Sequence, residues 1–382
     1  MSIFEPFSKN NRLMTYNWQR KDWPNFKYDL ETLQPLFMEF ALDWAELKGM
    51  EKGLSKDLEE ETLLNIMVSE AIKSSAIEGE FYSREDVMSS IKNKLGLSKT
   101  SLMVKDRYAA GISELMVIVR KSFQDPLSLD MLKTWHTTLF AYSKNLLVGD
   151  WRSGKEPMQI VSGPLGREQV HFEAPPSDRV PKEMERFVEW YNQGNLLTND
   201  SQASALLKSA IAHLYFESIH PFEDGNGRIG RAIAEKALSQ GLNKPILLSI
   251  SKFIETDKNS YYQALKDAQG TLEITNWIKY FVKVIIAAQL DSKVLVWFLL
   301  KKAKFFDQYR ELLEARHTKV LGKMFDAGPE GFKGGMSAKK YMSITKLSKS
   351  TATRDLQYLH QHGILIQKGA GRSVWYELNL EG

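Results

Sequence analysis

His220-Pro221-Phe222-Glu223-Asp224-Gly225-Asn226-Gly227-Arg228-Ile229-Gly230-Arg231 is the stretch whose reading organises the rest of the chain. Gly225 and Gly227 flank Asn226, which lets the backbone turn sharply and bring N–H groups close to a ligand. The turn opens into a helix that stops near Gly241, with Pro245 beyond it as ordinary stop chemistry. A helix N-terminus has free N–H groups and a partial positive charge, so it suits phosphate oxygens. Arg228 lies beside that anion site, and Arg231 is one turn further along. Asp224 supplies a hard oxygen of the kind that Mg²⁺ takes together with nucleotide phosphates. His220 is an imidazole able to remove a proton from a hydroxyl nucleophile. Base, metal ligand, anion nest and two guanidiniums within twelve residues make a phosphoryl-transfer constellation. A plain tight turn with His220 at a helix end accounts for the glycines but not for the whole string. The Walker A spacing is absent, so this is a different kind of phosphate site.

Outward from the loop the chain reads as mainly α. A helix from about Ser201 to Ile219 precedes it, with Asn199, Asp200 and Ser201 as candidate caps and Leu207, Ala210, Ile211 and Leu214 as its apolar face. Trp277, Ile278, Phe281, Val282, Ile285 and Ile286 predict another amphipathic helix. Near the N-terminus, Leu30, Leu33, Leu36, Phe37 and Phe40 recur at helical spacing. A second helix is expected from Ser55 to about Ile77. The aromatic segment Trp18 to Tyr28 is read as a packed arm. The one β feature in the middle of the chain is a small hairpin from Met158 to Phe172 around Gly163-Pro164-Leu165-Gly166.

Composition sets the outer bounds. The 382 residues are 43% hydrophobic and 26% charged, as in an ordinary soluble globular protein, and predict two or three domains. No cysteine is present, which excludes disulfides, thiolate nucleophiles and Cys-ligated zinc and fits a cytoplasmic location. Met1 to Asn10 shows no secretory signal, and the most apolar run, Val294 to Leu300, is far short of the roughly 20 residues that span a bilayer. No membrane partner is expected. His213 and His220, seven apart on one predicted helix, lack further zinc ligands, and His136 beside Trp135 reads as a satisfied core histidine.

The loop resembles the Fic family motif, His-x-Phe-x-Asp/Glu-Gly-Asn-Gly-Arg-x-x-Arg, without a departure. The chain from about Tyr108 to Ala288 is similar to Fic domains too, including Gly149-Asp150-Trp151-Arg152 and Tyr261-Tyr262. The resemblance implies a helical fold whose usual members transfer AMP from ATP to Ser, Thr or Tyr hydroxyls of proteins, themselves included. Carried over, His220 would be the catalytic base, Phe222 would anchor the loop in the core, and Asp224 would hold Mg²⁺. Gly225, Asn226 and Gly227 would line the anion hole, Arg228 would contact phosphate, and Arg231 would grip the γ-phosphate. Tyr262 would flank the adenine. The 158–172 hairpin would be a flap on which a target protein docks by β-augmentation.

Ser74-Ser75-Ala76-Ile77-Glu78-Gly79 ends the second helix, with Gly79 as a natural C′ residue. That leaves Glu78 in the final turn, opposed to the helix dipole by up to about 1 kcal/mol, so a partner elsewhere is expected. The segment resembles the Fic inhibitory motif, with Ser74 and Glu78 in register, which implies that Glu78 pairs with Arg231 and blocks γ-phosphate placement.

Past Gly328-Pro329-Glu330-Gly331 a separate unit begins. Ser348 caps a helix from Lys349 to Gln361, Gly363 stops it, and two short strands follow around Gly369-Ala370-Gly371. This resembles a winged helix-turn-helix. Ser350, Thr351, Thr353 and Arg354 stand on its candidate recognition helix, Lys368 and Arg372 near the wing, and Lys339, Lys340, Lys346 and Lys349 alongside, a setting for DNA or for protein. The expected organisation is an N-terminal helical region with the inhibitory helix (1–104), a Fic domain (105–290), a helical linker (291–335) and the winged helix (336–382). The leading expectation is an autoinhibited protein adenylyltransferase using ATP and Mg²⁺. Removal of AMP, transfer of another phosphate-containing group, and an ATP-sensing DNA-binding regulator stand as alternatives. Oligomeric state is left open, a homodimer included.

Overall fold

The computed structural model describes residues 15–98, 100–162, 169–193 and 197–380. The first ten residues and the hairpin tip 163–166, both used in the sequence reading, lie outside them. The chain divides into two compact units. One comprises residues up to Ala45 with Leu63–Gln289, and the other Glu46–Thr62 with Leu290–Gly382. In chain order the helices are α1 (Leu30–Glu51), α2 (Lys56–Ile77), α3 (Arg84–Leu95), α4 (Arg107–Lys121) and α5 (Leu129–Leu139). Strands β1 (Gln159–Ser162) and β2 (Gln169–Glu173) follow. Next come α6 (Val180–Asn192), α7 (Ser201–Ile219), α8 (Asn226–Gly241), α9 (Ile250–Thr256), α10 (Lys258–Gln269) and α11 (Thr275–Gln308). The C-terminal elements are α12 (Ala315–Phe325), α13 (Ala338–Thr345), α14 (Lys349–Gln361), β3 (Leu365–Lys368) and β4 (Trp375–Leu378). No helix among the described residues is long and apolar enough to cross a membrane.

The first unit is built on α7. Asp200 caps it, accepting from the N–H groups of Gln202 and Ala203 at 2.8 and 3.2 Å. The sequence suggested one apolar face, but from Ala203 to Ile219 every residue except Lys208 is buried. A helix that is apolar nearly all round belongs inside, and α7 packs against α6, α8 and α10. The N-terminal aromatic arm packs as expected. Trp23 Nε1 donates to Glu183 Oε2 at 2.9 Å, and its ring meets Tyr215 edge-on at 5.0 Å. Trp18 Nε1 donates to the carbonyl of Glu173 at 2.7 Å, at the base of the hairpin.

The hairpin is antiparallel, with Ile160 opposite Phe172 and Val161 opposite Val170, and a bulge between Ile160 and Val161. Phe172 is buried in the core, whereas Val161 and Val170 form an exposed apolar pair. Among the described residues each strand is paired on one side only.

In the second unit Val320, Leu321, Met324 and Phe325 of α12 share a core with Tyr341 of α13 and Ala352, Leu356 and Leu359 of α14. Ser348 caps α14 as read from the sequence, accepting from Thr351 N at 3.3 Å. Asp355 of α14 is buried and accepts from Arg316 Nε and Tyr341 Oη, each at 2.8 Å, tying three helices together. β3 and β4 pair antiparallel, Leu365 with Leu378 through Lys368 with Trp375. Two expectations change here. Residues 291–335 are not a linker: α11 runs unbroken past 290 because no Gly or Pro interrupts Thr275–Gln308, and α12 is core. Residues 46–62, placed with the N-terminal region, belong to this unit.

Candidate active site

His220 leaves α7 instead of ending it. It is the C-cap, in the left-handed region at φ 50 and ψ 62. Pro221 supplies the reason, since its ring disfavours the right-handed helical conformation for the residue before it. Arg152 then fixes the turn. Its Nε donates to the His220 carbonyl at 2.8 Å, its Nη1 to Ser177 Oγ at 2.9 Å, and its Nη2 to the Pro175 carbonyl at 2.5 Å. Burial pulls the Arg152 guanidinium down to about 10, which leaves it charged at neutral pH.

Phe222 is fully buried. It stacks on His136 with centroids 4.1 Å apart and leans on Trp151 at 4.9 Å. His136 proves to be more than filler. Gly149 N donates to its Nδ1 at 2.9 Å, so Nε2 carries the proton and donates to the Asp224 carbonyl at 3.2 Å. Burial lowers this imidazole to about 4, which keeps it neutral in that role. Asn226 closes the loop with its side chain. Phe222 N donates to Oδ1 at 2.9 Å and Nδ2 donates to the Phe222 carbonyl at 2.8 Å. The Asn226 amide is thus spent on loop shape, and only its backbone N–H is left to face an anion.

Gly225 caps α8 at φ 80, a conformation that other residues seldom adopt, and a Cβ there would lie 2.5 Å from the Phe140 ring. The first-turn N–H groups of Asn226, Gly227 and Arg228 have no intrahelical acceptor. The Asp224 carboxylate is largely exposed at this mouth and accepts from Gly225 N at 2.5 Å. Among the described residues no cluster of three or more His, Cys, Asp or Glu could hold a metal ion. A divalent ion would have to be held by Asp224 together with oxygens of a bound ligand, a pattern that suits Mg²⁺ with phosphates.

Arg228 and Arg231 are already engaged by the chain's own carboxylates. Glu78 Oε1 lies 2.8 Å from Arg231 Nη2, the pair foreseen from the sequence. The same oxygen sits where a Cβ on Gly227 would be, 2.3 Å from that position. Ser74 completes the grip, its Oγ accepting from Arg231 Nε at 2.9 Å and its carbonyl from Nη2 at 2.8 Å. Burial pulls Arg231 down, but the charge of Glu78, with Tyr261 and Glu217 behind it, sets it above its ordinary value. Glu78 lies just past the last residue of α2, and the Lys258 ammonium donates to the Ala76 carbonyl there, offsetting the dipole conflict. Tyr262 is half exposed beside this end of α2, its hydroxyl 3.4 Å from the Ile77 carbonyl.

Sequence reading missed a second carboxylate. Glu80 Oε2 lies 2.6 Å from Arg228 Nη1 and also accepts from Tyr82 Oη at 2.6 Å. Burial and the neighbouring Glu80 push the Tyr82 hydroxyl up, so it stays a donor. Arg228 is buried over the Phe140 ring, 4.8 Å from its centroid. No local signal announces Glu80, because its partner stands 148 residues away.

Fold and loop together define a mainly helical protein with a histidine set beside a helix N-terminus and two arginines. Residues 126–238 match the Fic/DOC family, so the chain carries a domain of that family. Residues 16–97 match a domain of unknown function, DUF4172. The chain is 34% identical over 98 residues to a probable protein adenylyltransferase of Aquifex aeolicus, covering 26% of this chain and 27% of that protein. It is 24% identical over 199 residues to the protein adenylyltransferase Fic of Nematostella vectensis, covering 51% and 42%. The chain thus spans less than half the length of either relative. A Fic family protein from Desulfovibrio desulfuricans shares the fold with a TM-score of 0.52 at 21% identity, over 91% of this chain and 97% of that one. A Fic domain containing signaling protein from Bacteroides thetaiotaomicron does so with 0.51 at 20%, over 70% and 97%.

Proposed function

We propose that the chain is a protein adenylyltransferase that moves AMP from ATP to Ser, Thr or Tyr hydroxyls of proteins and is held off by Glu78. One observation carries the reading. A single loop joins His220, the exposed Asp224 carboxylate and the α8 N-terminus with Arg228 and Arg231, and α2 sets a carboxylate of its own on Arg231 at 2.8 Å. The two adenylyltransferase relatives support the same chemistry.

In the reaction His220 takes the proton of the target hydroxyl as its oxygen forms a bond to the α-phosphorus. The bond from that phosphorus to the bridging oxygen breaks and pyrophosphate leaves. Backbone N–H groups of α8 and Arg228 hold phosphate oxygens, and Arg231 receives the γ-phosphate once Glu78 withdraws. Asp224 would hold Mg²⁺, which supplies charge neutralisation on the phosphates. Positioning and fixed charge do most of the work. The exposed Val161–Val170 pair on the open hairpin suits an extended target segment added to a strand edge.

Intact-protein mass spectrometry after incubation with ATP and Mg²⁺ tests the reading. Glu78→Gly should gain one AMP per chain or more, wild type little, and Glu78→Gly with His220→Ala none. Absence of the adduct, together with no transfer to proteins of a lysate, would overturn it in favour of AMP removal or nucleotide sensing.

A separate observation favours a nucleic-acid role for the second unit. Its helices and ribbon resemble a winged helix-turn-helix, and Lys349, Ser350, Thr353, Arg354 and Gln357 make one exposed face of α14. Lys340 is not part of that face, because its ammonium donates to the carbonyls of Lys333 and Gly335 at 2.8 Å. Binding of duplex DNA that weakens with salt and with Arg354→Ala would support this role, and none at low salt would end it.

A further inference from the structure

We propose that Glu217 is a positioning residue for His220, its buried carboxylate facing Nδ1 and fixing the tautomer that leaves Nε2 as the base. The inference deepens the reading above and rests on it. Glu217 is 4% exposed, one turn before His220, and its Oε2 lies 3.5 Å from His220 Nδ1. His220 is therefore held at two points, its backbone carbonyl by Arg152 and its ring by Glu217.

A carboxylate is rarely left this deep without a task, because burial disfavours its charge unless partners offset it. Burial pushes Glu217 up, yet the hydrogen bond from His220, with the charge of Arg231 behind it, outweighs burial and holds the carboxyl below its ordinary value. The groups facing it come from several elements. His213 stands one turn back on α7, with Nε2 2.9 Å from the Tyr261 hydroxyl of α10. Arg231 comes from α8, with Glu78 of the α2 end on its far side. Glu217 Oε1 has no hydrogen-bond partner among the described residues, so the carboxylate is not consumed by the packing around it.

α8 is shaped to leave room for this group. A Cβ on Gly230 would lie 2.5 Å from Glu217 Oε1 and 3.1 Å from His213 Nδ1. Within the sequence Arg228-Ile229-Gly230-Arg231 the glycine thus admits the carboxylate between the two helices. Chemically, a neutral imidazole has one N–H and one lone pair. With the N–H on Nδ1 toward Glu217, the lone pair is on Nε2. When Nε2 takes the hydroxyl proton, the new imidazolium is stabilised by the adjacent carboxylate. The Nδ1 proton stays in place and Glu217 is never protonated, as in other carboxylate–histidine pairs.

The test uses the full chain labelled with ¹⁵N-histidine, the His220 signals being those lost in His220→Ala. Nitrogen shifts should report an Nδ1–H tautomer in wild type. Glu217→Gln, whose amide oxygen still accepts, should keep that tautomer, and Glu217→Leu should lose it. In the Glu78→Gly background Glu217→Gln should lower kcat for AMP transfer roughly 100-fold and leave the KM for ATP within about twofold. An Nε2–H tautomer in wild type, or an unchanged tautomer in Glu217→Leu, overturns the proposal, as does a raised KM at constant kcat. If Glu217→Leu does not fold, Gly230→Ala, which presses on Oε1, replaces it, and the wild-type tautomer is decisive by itself. If Glu78→Gly transfers no AMP, the adenylyltransferase reading fails while the tautomer measurement still decides the role of Glu217.

Discussion

Arg228 and Arg231 are both engaged by side chains from one turn of chain. Glu78 and Glu80 stand either side of Gly79, whose φ of 85 lets the backbone reverse between them. A phosphate entering the site must therefore displace two carboxylates, not one. Glu80 is the more exposed of the two, and its removal should free Arg228 without touching the Glu78 pair. We expect Glu80→Gln to tighten binding of a fluorescent ATP analogue about fivefold, the equivalent of about 1 kcal/mol of relieved competition. Unchanged or weaker binding would mean that Glu80 holds Arg228 in a binding pose instead. His213 gives a second test. Burial keeps its imidazole below the ordinary 6.5. As pH falls through 6.5 the unfolded chain thus takes up a proton here more readily than the folded chain. The stability carried by neutral His213 is complete above 6.5 and declines as pH falls, by at most about 1.4 kcal/mol per pH unit. Urea unfolding at pH 7, 6 and 5 should give a shallower acid slope for His213→Gln than for wild type, and parallel slopes would refute this.

α2 is the element on which the proposed brake would turn, and it is anchored well before its end. Glu70 is buried and accepts from Ser249 Oγ at 3.0 Å, from Ser251 N at 2.9 Å and from Ser251 Oγ. Lys73 pairs with Glu255 at 2.9 Å. These contacts hold the last turns of α2 so that Glu78 arrives at Arg231. Glu70→Ala should loosen that register while leaving Glu78 in place. The expected result is faster amide exchange at 70–78 and AMP transfer about two- to fivefold above wild type, since the lost hydrogen bonds are worth about 1 kcal/mol each. Exchange that rises without any gain in transfer would separate the anchor from the brake. The sequence made α2 legible because Ser74, Glu78 and Gly79 are local signals. The α7–loop–α8 unit was legible as well, from a cap among Asn199, Asp200 and Ser201 to a stop near Gly241. Glu80 and Glu217 escaped sequence reading, and so did the role of Arg152 at the His220 carbonyl, for one shared reason. Each acts through a partner that only packing brings near, and a lone Glu or Arg in the sequence resembles any solvated charge. His136 was legible as a core residue but not as the support of the loop, since its place under Phe222 depends on how α5 meets α8.

At the scale of the whole molecule, the chemistry and the C-terminal module occupy different compact units. The second unit resisted sequence reading at its edges, because its core draws on 46–62 and on the latter part of α11, segments with no composition break to mark them. Its centre is ionic. Asp355 is buried between Arg316 at 2.8 Å, Tyr341 at 2.8 Å and His317 Nε2 at 3.7 Å. Burial raises the Asp355 carboxyl, and the Arg316 and Tyr341 bonds more than offset it, so the group is held below the usual carboxylate range. Removing one partner of such a cluster leaves the others uncompensated, which typically costs about 3–5 kcal/mol. Asp355→Ala should therefore lower hydrogen-exchange protection across α12, α13 and α14 together, because those three helices share this one carboxylate. Asp355→Asn keeps one acceptor oxygen for Arg316 and Tyr341 and should recover part of the loss. If protection in Asp355→Ala fell only within α14, the carboxylate would be a local cap, and the three-helix core would owe its cohesion to Val320, Leu356 and their apolar neighbours alone.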